Sequence, residues 1–173
     1  MSKLDQKFKQ NTLTDNEASS LIDLVKSCYE EYADRGVIFD IREESDLLKP
    51  ASYFKLHNGQ IFGVSTSIEP DRLIAVCGFT QSDPDYLKTH SMELKKLYVC
   101  PDYRGCGLAQ HLVKEVIKEA NIRKVSELFL WTDTRFTKAH QLYNKLGFIK
   151  QKTTRKLSDK SNTEEFCYRL AIY

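Results

Sequence analysis

The sequence predicts a mixed α/β fold around one central sheet. Short apolar runs of strand length recur through the chain, and separate segments carry apolar residues at helical spacing. One strand also passes into a helix through the glycine-bearing stretch "CPDYRGCGL". At 173 residues the chain reads as a single domain over 1–173, long enough to bury its own core.

The first helix is announced by "TDNE", where Thr14 and Glu17 form a capping box. Ala18, Leu21, Ile22, Val25, Cys28, Tyr29 and Tyr32 then follow helical spacing. A second, weaker helical segment runs through "EESDLLK", with Pro50 interrupting or restarting it. "GQIFGVS" and "RLIAVCGFT" read as neighbouring strands joined by the turn "SIEPD". In the next strand, "MELKKLYVC", the alternation breaks: Met92 and Leu94 share one parity, Leu97 and Val99 the other. A β-bulge produces such a slip, and so does irregular patterning.

After the glycines, Leu108, Leu112, Val113, Val116, Ile117 and Ala120 line one helix face, and "ELFLWT" reads as a short buried strand. Phe136, Ala139, Leu142, Tyr143 and Leu146 line the last helix, which Gly147 terminates. Two closing strands, "FIKQKTTRKL" and "EEFCYRLAIY", are joined by the polar "SDKSN".

A net charge of +2 gives no electrostatic case for nucleic acid or a membrane surface as partner. No apolar run approaches a membrane span, and "MSKLDQKFKQ" carries no leader core. The five cysteines are scattered without a C-x-x-C pair, and the four histidines show no ligand spacing. Neither a metal site nor a disulfide framework is indicated, and a reduced, cytoplasmic protein is expected.

A strand, a glycine turn and a helix start make a ready anion site, because unpaired helical N–H groups and the helix dipole favour a phosphate. Arg104 stands at its mouth to add a cationic contact. Gly105 and Gly107 serve either that purpose or only a tight turn, and the glycines alone leave both open. A Walker loop is excluded because no Gly-Lys-Ser/Thr follows, and a dinucleotide fingerprint because the third glycine is absent.

The stretch "LKKLYVCPDYRGCGLAQHLV" resembles the acetyl-CoA-binding motif of the GNAT superfamily of N-acetyltransferases. That motif reads Gln or Arg, two residues, Gly, one residue, then Gly or Ala, and Arg104, Gly107 and Ala109 match its defined positions. "AHQLYNKLGF" looks like the family's second signature, A-x-x-x-Y followed by Gly-Phe. The resemblance implies a single GNAT-like domain with about six to seven strands and about four helices. It implies acetyl-CoA as cosubstrate and direct acetyl transfer to a primary amine in a ternary complex. Backbone N–H groups of Arg104, Gly105, Cys106, Gly107, Leu108 and Ala109 would hold the pyrophosphate. Backbone groups of Leu97, Tyr98 and Val99, exposed where the bulged strand splays from its neighbour, would pair with pantetheine.

Such a transfer needs a neutral amine, a polarised carbonyl and a proton for the departing thiolate. The motif tyrosine, Tyr143, is the implied proton donor; packing on the sheet is its other reading. Glu93 stands where part of the family has a base, or is a strand carboxylate paired with Lys95 or Lys96. A nucleophilic role for Cys100 or Cys106 lacks a supporting histidine pattern beyond nearby His111, so they read as small buried thiols. Trp131 reads as core rather than as a ring that stacks on a ligand, and Asp133 either as a helix cap or as a group facing the site, where with Tyr29 and Tyr32 it would contact the acceptor.

By the resemblance, acceptor recognition comes from the first two helices, their connection and the last strands. These hold Tyr29, Glu30, Glu31, Tyr32, Glu43, Glu44 and Asp46, a set suited to a cationic amine or to a solvated face. The acceptor is a small-molecule or peptide amine, and a homodimeric assembly stays open. The rival readings are a non-catalytic acyl-CoA-binding module and a protein-interaction module on the same fold.

Overall fold

The computed structural model describes residues 8–81 and 91–173. Residues 1–7, within the stretch read above for a leader, and residues 82–90 lie outside it. Four helices and a seven-stranded sheet make up the described domain. In chain order the elements are β1 (Phe8–Thr12), α1 (Ala18–Glu30), α2 (Pro50–Leu56), β2 (Gln60–Thr66), β3 (Ala75–Gln81), β4 (Ser91–Val99), α3 (Leu108–Ile122), β5 (Glu127–Asp133), α4 (Thr137–Lys145), β6 (Ile149–Lys156) and β7 (Glu164–Ala171).

The expected capping box is present. Thr14 N–H donates to Glu17 Oε2 at 2.7 Å, and Thr14 Oγ accepts from Asn16 N–H at 3.2 Å. It sits on a single 3-10 turn, Asp15–Glu17, that feeds α1. Asp15 also reaches the next helix, accepting from Ser52 N–H at 3.0 Å and Ser52 Oγ at 2.5 Å in the first turn of α2. One short segment therefore satisfies orphan donors of two helices.

The helix expected over "EESDLLK" does not form. Only Ser45–Leu47 closes a 3-10 turn, and α2 begins at Pro50. The residue before a proline is driven out of the helical region, and Lys49 sits at φ −140°, ψ 70°. Proline is tolerated at the first helical position, where its missing N–H costs nothing. The edge strand β1, "FKQNT", gave no apolar alternation to read; only Phe8 of it packs against the core.

The sheet order is β1-β2-β3-β4-β5-β7-β6, and β4–β5 is its parallel pair, joined through α3. That pair ends early: Ser91, Met92 and Glu93 pair with Glu127, Leu128 and Phe129, and beyond Glu93 the strands part. The slip in "MELKKLYVC" is a bulge. Val76 faces Tyr98 and Gly78 faces Lys95, so β4 carries one extra residue opposite Cys77. Lys96 takes the strain with φ +56°, a region L-residues rarely adopt at a cost of roughly 1–2 kcal/mol.

The core lies between the sheet and the helices that cover it. Leu112, Val113, Val116 and Ala120 of α3, Leu21 and Val25 of α1, and Met92, Leu128 and Leu130 of the sheet are fully buried. On β5, Leu128 and Leu130 share the buried face, so Phe129, Trp131 and Asp133 point the other way. Trp131 is accordingly half-exposed and not core: the Arg155 guanidinium lies 4.4 Å above its ring.

Candidate active site

Where β4 and β5 part, two cavities open and meet. One, of about 390 Å³, lies against the start of α3; the other, of about 450 Å³, lies among β4, β5, β7 and the loop after α1. Leu97, Tyr98, Phe136 and Ala139 line both.

The smaller cavity is built by the glycine turn. Gly105 and Gly107 adopt φ +78° and +80°, with nothing within 4 Å of where a Cβ would stand, so conformation and not crowding selects glycine there. The first α3 bond runs from His111 N–H to Gly107 O at 2.9 Å, leaving the N–H groups of Leu108, Ala109 and Gln110 without helical acceptors. Gly105, Gly107, Leu108, Ala109 and Gln110 all line this cavity, and the positive end of the helix dipole points into it. Cys106 is half-buried beside it, while Cys100 is buried. His111 pairs with Gln10 Oε1 at 2.6 Å, so it partners neither thiol.

Arg104 lines the cavity but does not offer a free guanidinium. Its Nε donates to Val99 O at 3.2 Å and its Nη1 to Glu31 Oε1 at 2.6 Å. Val99 O also accepts from Cys28 Sγ at 3.5 Å, so that carbonyl is taken; burial pushes the Cys28 thiol up to about 11. The basic side chains at the cavity wall that remain exposed are Lys138 and Lys145 of α4. Tyr32, expected on the acceptor side, lines this cavity, with its ring 4.8 Å from Phe136.

The larger cavity gathers carboxylates. Tyr29 donates to Glu44 Oε1 at 2.6 Å, and the Tyr98 hydroxyl lies 3.4 Å from that of Tyr29; with the Tyr29 proton committed, Tyr98 is the donor. Burial, followed by neighbouring charge and hydrogen bonds, holds both phenols well above their usual range. Lys96 lies between Glu44 and Asp46, 3.1 Å from the latter. Burial pulls its ammonium down, but the two carboxylates outweigh burial and raise it. Glu43 accepts from Lys160 N–H at 3.0 Å, and Asp40 pairs with Lys160 and Arg42, so the loop after α1 is strapped to the β6–β7 turn. Glu30 is exposed and outside the cavity wall, and Glu31 serves Arg104.

Glu93 lines this cavity, 3.5 Å from Lys95. Asp133 also lines it, but its carboxylate caps no helix: it accepts from Arg135 N–H at 2.8 Å and from the Arg135 guanidinium at 2.9 and 2.6 Å. The Asp133 carbonyl holds the approach to α4 instead, accepting from Phe136 N–H at 3.1 Å and from the His140 ring Nε2 at 2.9 Å. Sequence reasoning missed Glu165, which lines the cavity and pairs with Arg155 at 2.5 Å. Burial raises its carboxyl above the usual range, against the opposing pull of Arg155. The closing hairpin is legible in the sequence, but not its shifted register, which places Arg155 opposite Glu165.

Tyr143 is buried, with ring centroids 5.8 Å from Phe148 and 5.7 Å from Tyr168. It lines the larger cavity, next to Ala139, which borders both. Among the described residues no hydrogen-bond partner occupies its hydroxyl. Burial, then nearby Cys77 and Tyr168, holds the phenol well above its usual range. It is a neutral donor at neutral pH.

Residues 19–148 match the Acetyltransferase (GNAT) family. Human N-acetyltransferase 8 is 32% identical over 127 residues, covering 73% of this chain and 52% of that protein. The chain thus spans about half the length of this curated relative. A Staphylococcus aureus acetyltransferase of the GNAT family superposes with a TM-score of 0.78 at 17% identity, over 96% of this chain and 100% of that one. PaiA N-acetyltransferase from Thermoplasma acidophilum, solved in complex with coenzyme A, superposes with a TM-score of 0.64 at 20% identity, over 92% and 98%. With the family match spanning most of the residues that build both cavities, the chain belongs to the GNAT family of acetyltransferases.

Proposed function

We propose that the protein transfers the acetyl group of acetyl-CoA to a primary amine by direct attack in a ternary complex. The observation that carries this reading is the meeting of the two cavities in the β4–β5 gap, with an open helix N-terminus on one side and Tyr143 on the other. The N–H groups at the start of α3 suit the pyrophosphate. The parted stretch of β4 leaves Leu97 and Tyr98 facing the gap for the pantetheine arm, while Val99 O is already taken by Arg104. A GNAT structure holding coenzyme A supports the same cosubstrate here. The carboxylate-rich cavity suits a cationic acceptor, because attraction to fixed negative charge offsets the hydration an ammonium loses on entering.

In this reading an amine gives up its proton toward Glu93 and attacks the thioester carbonyl. The C–S bond breaks as the tetrahedral intermediate collapses, and Tyr143 protonates the thiolate. The test is release of free thiol from acetyl-CoA across a panel of diamines, amino acids and basic peptides. Amine-dependent release by at least one member is the expected result, and thiol release that no amine accelerates contradicts it.

Glu93→Gln separates base from scaffold. An amine of pKa about 10.4 is mostly protonated at neutral pH, so loss of a base costs most there and least where the free amine is abundant. The variant's rate, taken as a fraction of wild type, is expected to recover as pH rises toward 10. A ratio that stays flat across pH assigns Glu93 to its pairing with Lys95.

A further inference from the structure

Lys96 combines three features that the proposed chemistry does not use. It occupies the extra position of the β4 bulge with φ +56°, its side chain is 14% exposed, and its ammonium is held by two carboxylates, Glu44 and Asp46. Paired on both sides, it has little capacity left for a substrate. Its effect must pass through what it is attached to. On one side lies the backbone that next becomes Leu97 and Tyr98, which line both cavities. On the other lies the loop after α1, and Glu44 of that loop also accepts a hydrogen bond from the Tyr29 hydroxyl, while Tyr29 meets Tyr98. The chain Asp46–Lys96–Glu44–Tyr29–Tyr98 therefore closes a ring of contacts between the acceptor loop and the cofactor-facing strand.

We propose that Lys96 is a positioning residue: clamped by Glu44 and Asp46, it holds the β4 bulge in the left-handed conformation that presents Leu97 and Tyr98 to the cofactor cavity, and ties the acceptor loop to it. This rests on the acetyl-CoA reading for its functional half. The physical reason is that a non-glycine residue leaves the left-handed region unless its surroundings hold it there. Removing the ammonium while keeping a side chain releases the bulge. Removing the whole side chain does not, because glycine adopts that conformation freely.

The experiment compares wild type, Lys96→Met, Lys96→Gly and the double variant Glu44→Gln/Asp46→Asn as full chains. Calorimetry measures acetyl-CoA affinity, and amide hydrogen exchange is followed without ligand over residues 37–48 and 97–99. Lys96→Met and the double variant are expected to lose about tenfold or more in acetyl-CoA affinity and to exchange faster in both segments. Lys96→Gly is expected to stay within about threefold of wild type for acetyl-CoA, with faster exchange over 37–48 only. The proposal is overturned if Lys96→Met binds like wild type, or if Lys96→Gly loses as much as Lys96→Met. Failure of the wild-type chain to bind acetyl-CoA defeats the cofactor reading instead. The exchange comparison then still decides the clamp, and exchange over 97–99 unchanged in Lys96→Met overturns it.

Discussion

Tyr143→Phe is expected to lower turnover by about 100- to 10,000-fold, the usual contribution of general acid catalysis, while acetyl-CoA affinity changes by less than about tenfold. The substitution keeps the ring that packs against Phe148 and Tyr168 and removes only the hydroxyl. A phenol held above its usual range looks at first like a poor acid for a thiolate whose parent thiol has a pKa of about 8.5. The gap itself answers this. A thiolate leaving into that space is desolvated as the phenol is, so its basicity rises in step and transfer stays near balance. Turnover and affinity measured side by side check this. A fall of less than about threefold makes Tyr143 a core aromatic.

Gly107→Asp is expected to weaken acetyl-CoA binding by about 10- to 150-fold, because each charge-assisted bond at the helix start contributes about 1.5–3 kcal/mol. The open space around Gly107 means that the fold survives, and the φ of +80° is one that aspartate tolerates better than most residues. Gly107→Asn supplies the same shape without the charge. The difference between the two variants in calorimetry isolates repulsion of the pyrophosphate from backbone strain. Equal affinities for Asp and Asn remove the phosphate from this site.

The features legible in the sequence were those with local causes. A capping box, a glycine turn and a slipped alternation depend on neighbours within a few residues, and each appears where read. What stayed hidden depends on distant partners. Nothing in "FKQNT" marks an edge strand, since its pairing with β2 supplies its order. Trp131 reads as core by composition but lands on the cavity face of β5 because Leu128 and Leu130 claim the other. Arg104 reads as a phosphate ligand by position, yet Glu31 from the end of α1 holds it. The Lys96 clamp joins segments far apart in sequence, and the Arg155–Glu165 pair depends on the register of the closing hairpin, which periodicity does not set.

Direct attack makes a demand that one measurement meets. With protein in excess over acetyl-CoA, thiol release is followed through the first turnover, with and without an amine that the panel identifies. Transfer across the β4–β5 gap in a ternary complex predicts no release until the amine is present, then release matched one-for-one by acetylated amine. A stoichiometric burst of thiol without amine, leaving acetyl on the protein, would contradict the account.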